Sequence, residues 1–568
     1  MIITSIDRGI GISHRNNGEI VRERISFNDF QPYFYATSYG VEFMNDQLPN
    51  KLWIKDKYGG VNVEFYFEET DAKSLQGGEL VKVLWIPSRP EYMRKIADYL
   101  SKMNVPKNTS KIQTYESDVP YHYRYAVDTI SEMPEYEMRK MYWDMEWLSD
   151  SHEHSGAITC IVAYDSFDDE YTVFMWTPEK DENIEPLVDS YHNNEKDMLS
   201  EFVSYVSLQD PDMLISWFGW KFDLPKLLQR CVENEIDCRG LSPFLEVSGI
   251  GFNKNKPTIS NRKVENYSPI YQPIKGRICF PLDMAFERQW NDAQRGTLPS
   301  MALDYIAETV LGKKKLVSEK FPDKNEFFER GWLEDTKTYV EYARIDVQLL
   351  VEIDNTNHTT ESVLALQRLL KAPFDACFYA SNMGSIYFMR NADWKAPTGK
   401  KEDRVDYDGA MVYDPLSENT NGLHHNVAAF DYAGLYPSMI ISRNISWETV
   451  SREPTELAVN LKTPKDFSPV VAKDMRYFKT DKLGLLPRSV LELKTLRQKY
   501  KSNMKKYPED YVKWNNNQLA VKRLMASFYG IIAYQGFGWA DVDLAASITA
   551  SAREAIREAA RLVKEMDA

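Results

Sequence analysis

The sequence predicts a multidomain α+β protein, and three observations lead there. At 568 residues the chain is too long for one hydrophobic core, so three to five domains are expected. Apolar residues at 43% and aromatic residues at 13% are enough to fill several cores. Strand-like alternation and helical periodicity both recur, in an order that changes along the chain.

Residues 1 to about 105 mix strand-like runs (VNVEFYFEE, LVKVLWIPS) with a helical pattern (EYMRKIADYLSKM), an α+β opening domain. From about 106 to 350, the runs KMYWDMEWL, GAITCIVAYDS and EYTVFMW precede segments of helical period, as in a mixed sheet flanked by helices. Residues 352 to 395 read as helices, including ESVLALQRLLKA. DYDGAMVYDP and VAAFDYAGLYPS then read as strands bounded by turns. The stretch 484–530 reads as two helices around the breaker KKYPED, and a last helix covers about 543 to 566.

No run of eighteen apolar residues occurs, and MIITSIDRGI lacks a basic segment followed by an apolar one. Neither a membrane span nor a secretory leader is expected, and the expected location is cytoplasmic, in the host cytoplasm if the source is viral. Cys160, Cys231, Cys238, Cys279 and Cys377 are scattered without CxxC spacing, which argues against a disulfide framework and a structural zinc site. The net charge of −15 is unevenly spread. Residues 471–527 hold fourteen Lys or Arg against five Asp or Glu, a local +9 that leaves −24 for the remainder. Such segregation suits one anion-binding region beside acidic, metal-binding ones.

In YWDMEWL, period-two alternation sends Asp144 and Glu146 to one face of a strand. Two adjacent carboxylates repel, which calls for a cation or a raised pKa. Alone, this spacing also fits a solvated strand face. Two later stretches add to it. DMLISWFGWKFDLPKLLQR runs from an apolar strand through a loop to Phe222-Asp223 and a helix, and YVEYARIDVQLLVEID sets Tyr342 and Asp346 one helical turn apart. In LPRSVLELKTLRQKYKSNMKKY, an apolar stripe (Leu493, Leu496, Tyr500, Met504) lies beside a cationic one (Lys494, Arg497, Lys501, Lys505). NQLAVKRLMASFYG puts Gln518, Lys522, Ala526 and Tyr529 on one helical face, so the helix pair would converge cations on a polyanion, or simply expose a basic surface.

The order DxE, FD, YxxxD resembles the three exonuclease motifs of the DnaQ-like, RNase H-like 3′→5′ proofreading fold. DYAGLYPSMI with NIS resembles motif A of family B DNA polymerases, KRLMASFYG their motif B, DYDGAMVYDP their YxGG-type linker, and DVDLAASITASARE the helix after motif B. The resemblance covers about residues 106–568 and implies the following layout. An N-terminal domain would span 1–105, with helices from about 347–375 returning to it. An α/β exonuclease domain would span 106–346, and a first palm part 376–470. Helical-hairpin fingers would span 471–530, followed by a palm helix at 531–568.

By the same resemblance, Asp144, Glu146, Asp223 and Asp346 would hold two Mg2+ ions, with Mn2+ able to substitute, and Tyr342 would orient the attacking water. Asp431 and the carbonyl of Tyr432 would bind the synthetic metal ions. Tyr436 would lie against the incoming sugar, Leu435 would be nucleotide-binding, and Arg497, Lys501 and Lys522 would lie against the triphosphate. Tyr529 and Gly530 would line the nascent base pair. Implied partners are primer-template DNA, single-stranded 3′ ends and dNTPs, with a sliding clamp possible. Three positions depart from the family: Phe218 for asparagine, Gly434 for serine, and Ala526 for asparagine.

Two-metal phosphoryl transfer needs more than one palm carboxylate, and nothing after residue 530 resembles the YxDTDS-like motif C or a thumb. The expectation is therefore that Asp431's partner lies on a second polypeptide of a naturally split polymerase, with a missing segment of a longer reading frame as the other explanation, and that the isolated chain digests DNA without extending it. A stand-alone exonuclease and an inactive DNA-binding module are the alternative readings.

Overall fold

The alternation in KMYWDMEWL becomes the strand Lys140–Trp147, set inside a six-stranded sheet. Across the sheet the order is Ser190–His192, Glu170–Trp176, Ile158–Asp165, Lys140–Trp147, Met213–Ser216 and Ile278–Pro281. The central strand runs antiparallel to Ile158–Asp165 and parallel to Met213–Ser216, which itself runs parallel to Ile278–Pro281. The structure, a computed structural model, describes all residues except 57–58, 106–110, 179–183, 269–271, 293–295, 400–405, 412–424, 426, 429, 463–473 and 567–568.

Contacts divide the chain into two units, each discontinuous in sequence. The first joins residues 1–30 to 122–378 and contains the six-stranded sheet. Its N-terminal piece is an antiparallel sheet of Ile2–Ile6, Gly9–Asn16 and Glu19–Ser26. Buried Arg15 pairs with Asp212, Arg22 with Asp210, and Arg24 donates to the Phe244 carbonyl at 3.0 Å. Helix Thr336–Asn357 packs on the sheet through Tyr339, Val340, Ala343, Val347 and Leu350.

The second unit joins residues 31–121 to 379–568. It holds an antiparallel sheet of Lys51–Ile54, Val61–Lys73, Glu79–Ile86, Phe34–Thr37 and Thr114–Tyr115, covered by helix Met93–Lys102. The helices Ala380–Asn391, Leu485–Lys506, Tyr511–Ala533 and Val542–Glu565 form its other part. Phe388, Trp394, Trp447, Phe528 and Trp539 pack there ring against ring. The breaker KKYPED separates the two long helices, as its proline dictates.

Two expectations need correction. Residues 1–30 group with the six-stranded sheet rather than with 31–105, and the helices of 347–375, expected to return to the whole of 1–105, share a unit with residues 1–30 only, where Gln367 Nε2 donates to the Met1 carbonyl at 3.1 Å. Hydrophobic pattern names strands but not the distant segments they pair with, so a cut at 105 followed pattern alone. Second, no strand forms among the described residues of 406–415 and 427–432, while helix Leu435–Ser442 occupies the end of the second run. Residues 412–415 and 429 lie outside the described residues. A strand needs a ladder partner, and none is described for Val427 or Phe430, which stand 74% and 84% exposed.

Candidate active site

Asp144 and Glu146 leave one face of the central strand and sit half-buried, while Trp143 and Met145 are buried on the other. In the antiparallel register Asp144 lies opposite Val162 and Glu146 opposite Cys160. Helix Thr336–Asn357 brings Tyr342 and Asp346 over the same spot, one turn apart. Oxygens of Asp144, Glu146 and Asp346 all lie within 4.8 Å of one another. Asp223 opens helix Asp223–Glu233, where the helix dipole favours an acid. With Tyr342, Lys315, Trp217, Phe218 and Phe222 these residues line one cleft of about 530 Å³.

The electrostatics follow from crowding in a dry place. Burial, then the charges of Asp223, Asp346 and Glu146, push the Asp144 carboxyl well above its ordinary range. Burial and Asp346 raise Glu146 to about 8. Asp223 rises to about 7, through burial first and then the charge of Asp283. Asp346 is raised by burial, against the opposing pull of Lys315. A set of carboxylates this close is costly when fully ionised and lacks positive charge.

Part of that charge comes from Lys315, which sequence reasoning missed. Its ammonium, mostly buried, bonds Asp346 Oδ2 at 2.5 Å and the Tyr342 hydroxyl at 3.2 Å. Burial alone would lower its pKa, but Asp346, Tyr342 and Asp144 more than offset this and raise it. Its backbone is fixed by a hydrogen bond from Lys315 N to Asp304 Oδ1, 2.9 Å. The run GKKK gives no periodicity to say which lysine points inward; only the third does so, while Lys313 and Lys314 pair with Glu352 and Glu308. Asp283 was also missed: it is buried, raised to about 7 by burial, and its Oδ1 has no hydrogen-bond partner among the described residues. Tyr342 is held edge-on by Phe327 and Phe328, at 5.6 and 5.7 Å between centroids.

The donor set fits a hard divalent cation: it is all carboxylate oxygen, and Asp346 Oδ1 is buried without a partner.

The residues expected in the synthetic half are only partly gathered. Tyr436 stacks on Tyr529 with centroids 4.9 Å apart, and the Tyr529 and Tyr407 hydroxyls lie 2.9 Å apart. Arg497 Nε donates to Gln518 Oε1 at 3.0 Å, across the two long helices. Lys501 lines a cleft of about 660 Å³ with Gln498, Lys505, Tyr511 and Gln518. Leu435 begins its helix after Gly434, whose φ of +72° is left-handed and suits glycine. Gly530 lies in helix Tyr511–Ala533 one residue beyond Tyr529, near Ala380, and Lys522 lies two turns earlier. Asp431 and Tyr432 are exposed; the Tyr432 hydroxyl donates to the Ala555 carbonyl at 3.0 Å. Asp431 has no hydrogen-bond or ion-pair partner and no metal-holding group of acids around it among the described residues. No helix of the described residues is long and apolar enough to cross a membrane.

Comparison with known proteins places these two regions. Residues 141–270 match the family model "DNA polymerase family B, exonuclease domain", and residues 357–568 match "DNA polymerase family B". A DNA polymerase of Thermococcus sp. (strain 9oN-7) is 26% identical over 574 residues, covering 98% of this chain and 66% of the relative. A DNA polymerase of Desulfurococcus sp. (strain Tok) is 26% identical over 557 residues, covering 94% and 64%. The chain thus spans just under two thirds of the length of these curated relatives. The solved structure of the family B DNA polymerase from the archaeon Pyrobaculum calidifontis shares the fold, with a TM-score of 0.71 at 18% identity over 100% of this chain and 72% of that one.

Proposed function

We propose that the chain is part of a family B DNA polymerase, acting as a 3′→5′ exonuclease on single-stranded DNA ends coupled to template-directed synthesis, a reading supported by the matches of residues 141–270 and 357–568. One observation carries the nuclease half: three carboxylates within 4.8 Å, with Asp223 in the same cleft, on elements distant in sequence. An RNase H-like assignment is supported by the central strand, antiparallel on one side and parallel on the other.

Asp144, Glu146, Asp223 and Asp346 are the residues that would hold magnesium, with manganese as a substitute. Bound there, such ions supply an activated water and steady the leaving oxygen. The remaining work belongs to the protein. Tyr342, braced by two phenylalanines, presents its hydroxyl beside Asp346 and orients the attacking water. Lys315 keeps positive charge next to the carboxylates and stabilises the anionic phosphate as charge builds on it.

In the synthetic half, Asp431 and the Tyr432 carbonyl would be metal ligands, and Arg497, Lys501 and Lys522 would contact the triphosphate. Tyr436 guards the sugar; Leu435, Tyr529 and Gly530 line the nucleotide. We propose that a second polypeptide supplies a further carboxylate to this site together with the duplex grip, a reading motivated by an exposed Asp431 with no acid group beside it among the described residues. A sliding clamp remains a candidate partner.

The test is direct. With magnesium, the chain should shorten a 5′-labelled single strand from its 3′ end and add no nucleotide to a primer-template. Asp144→Ala should abolish digestion, and Asp431→Ala should leave it intact. Equal effects of the two substitutions would show the sites to be misassigned; templated extension by the pure chain would remove the case for an outside carboxylate.

A further inference from the structure

The antiparallel ladder beside the carboxylates is irregular at one point. Ile158 lies opposite Trp147 and Cys160 opposite Glu146, so Thr159 is an extra residue, bulged out of register next to Glu146. A bulge bends its strand, re-aims neighbouring side chains and leaves ladder groups unpaired. Here buried side chains take up those groups. Ile158 N donates to Glu195 Oε1 at 2.9 Å, and the Ile158 carbonyl accepts from Trp176 Nε1 at 2.7 Å. Glu195 is paired in turn with Arg230. Ile158, Thr159, Trp176 and Glu195 are all buried, so the irregularity is a built feature with its polar groups satisfied.

Thr159 itself reaches both halves of the carboxylate set. Its hydroxyl donates to the Glu146 carbonyl at 3.1 Å and lies 2.8 Å from the Tyr339 hydroxyl. The carbonyl can only accept, so the threonine proton goes to it and the other bond uses the tyrosine proton. One directed chain results, from Tyr339 through Thr159 to the backbone of Glu146. Tyr339 is fully buried on helix Thr336–Asn357, its ring centroid 5.4 Å from that of Phe327. It precedes Tyr342 by one turn and Asp346 by two, on the same helix face. Burial, and next the charge of Glu146, hold its hydroxyl well above the ordinary range, so it stays a donor.

We propose that Thr159 and Tyr339 are positioning residues of the carboxylate cage: their hydroxyl chain pins the bulged strand end to the helix and so sets how far Glu146 stands from Asp346. The inference rests on the metal-binding reading of that cage. Neither residue lines the cleft; each acts through the residue it holds. Packing alone would be served as well by valine and phenylalanine, which fill the same space without buried hydroxyls to satisfy.

The test reads manganese binding to the full chain by electron paramagnetic resonance of the free ion, with Asp144→Ala marking uptake that bypasses the cage. Thr159→Val and Tyr339→Phe each keep the shape and drop one hydroxyl. Each should raise the Kd for Mn2+ about tenfold, the lower end for outer hydrogen bonds that orient metal ligands, while Thr159→Ser stays within about twofold of wild type. Circular dichroism and melts in chelator show which variants fold. A folded Thr159→Val or Tyr339→Phe that binds Mn2+ like wild type overturns the proposal whatever its melting temperature, since the hydroxyls would then serve packing alone. A serine variant as weak as the valine one overturns it too. If Thr159→Val does not fold, Tyr339→Phe decides, and loss of fold in both makes the chain purely structural and ends the proposal. The cage reading fails separately: wild type that takes up no more Mn2+ than Asp144→Ala removes the cage and the positioning claim with it. Cage-dependent uptake with unchanged hydroxyl variants removes the positioning claim alone.

Discussion

Replacing Lys315 by methionine removes one buried positive charge from among several acids and keeps most of the side-chain volume. The ammonium lies 2.5 Å from Asp346 Oδ2, with side-chain exposures of 18% and 2%. Two unit charges 4 Å apart attract by about 4 kcal/mol at an effective dielectric of 20, and stripping one partner from a buried pair costs about 3–5 kcal/mol. The lower figure applies here, because neighbouring carboxyls can take up protons and blunt the loss. A cost of about 3 kcal/mol lowers the melting temperature of a domain of this size by roughly 6–12 °C.

The pH dependence has a definite sign. Glu146 rises from 4.5 to about 8 and Asp223 from 3.8 to about 7 on folding. Such groups hold protons more tightly when folded, so folded-state stability falls as pH climbs through that interval. In chelator the Lys315→Met deficit should therefore be small near pH 5.5 and large near pH 8.5. Magnesium should raise the melting temperature of the variant more than that of wild type, since added cations would replace the missing one. Thermal melts at both pH values, with chelator or magnesium, decide the matter. A variant as stable as wild type at pH 8.5 in chelator, or a deficit equal at both pH values, would refute the reasoning.

Three further outcomes are expected. Tyr342→Phe keeps the edge-on ring contacts but removes the hydroxyl, so kcat for digestion should fall roughly a hundredfold with little change in KM, the lower end for a group that handles the attacking water; equal activity would place the water elsewhere. A Cβ on Gly219 would lie 1.6 Å from Ser216 Oγ, 2.8 Å from Ser216 Cβ and 3.7 Å from Asp223 Oδ2, so Gly219→Ala should cost about 1–3 kcal/mol and impair digestion, with partial relief by Ser216→Ala, which removes the closest atom but keeps the Cβ. Gln518→Ala releases Arg497 from its 3.0 Å bond across the helix pair, and a fluorescent dNTP should bind severalfold more weakly; unchanged affinity would mean that Gln518 does not orient the guanidinium.

The parts of this architecture that were legible in sequence are those written in local period. Alternation put Asp144 and Glu146 on one face, and helical spacing put Tyr342 over Asp346, so two halves of the carboxylate set could be read separately. Their meeting depends on which strands neighbour each other, and the family motif order, rather than periodicity, supplied that expectation. Lys315 escaped because loop lysines carry no directional pattern, and Asp283 because a single acid at a helix start reads as an ordinary dipole partner. The Asp431 segment was read as a strand from composition, but its exposed Val427 and Phe430 have no described strand to pair with.

The interleaving of the two units also has a consequence in time. Arg15 must find Asp212, 197 residues further on, and Gln367 Nε2 reaches the Met1 carbonyl across 366 residues. At synthesis rates of about 5–20 residues per second, the opening three strands wait roughly 10–40 s for Asp212 to emerge from the ribosome. During that interval their apolar faces have no permanent cover, whereas residues 31–121 bring the core of their own sheet, from Phe34 to Ile112, within one continuous segment. Arrest of translation before Asp212 would thus leave the three opening strands bare while the sheet that follows them already has its core.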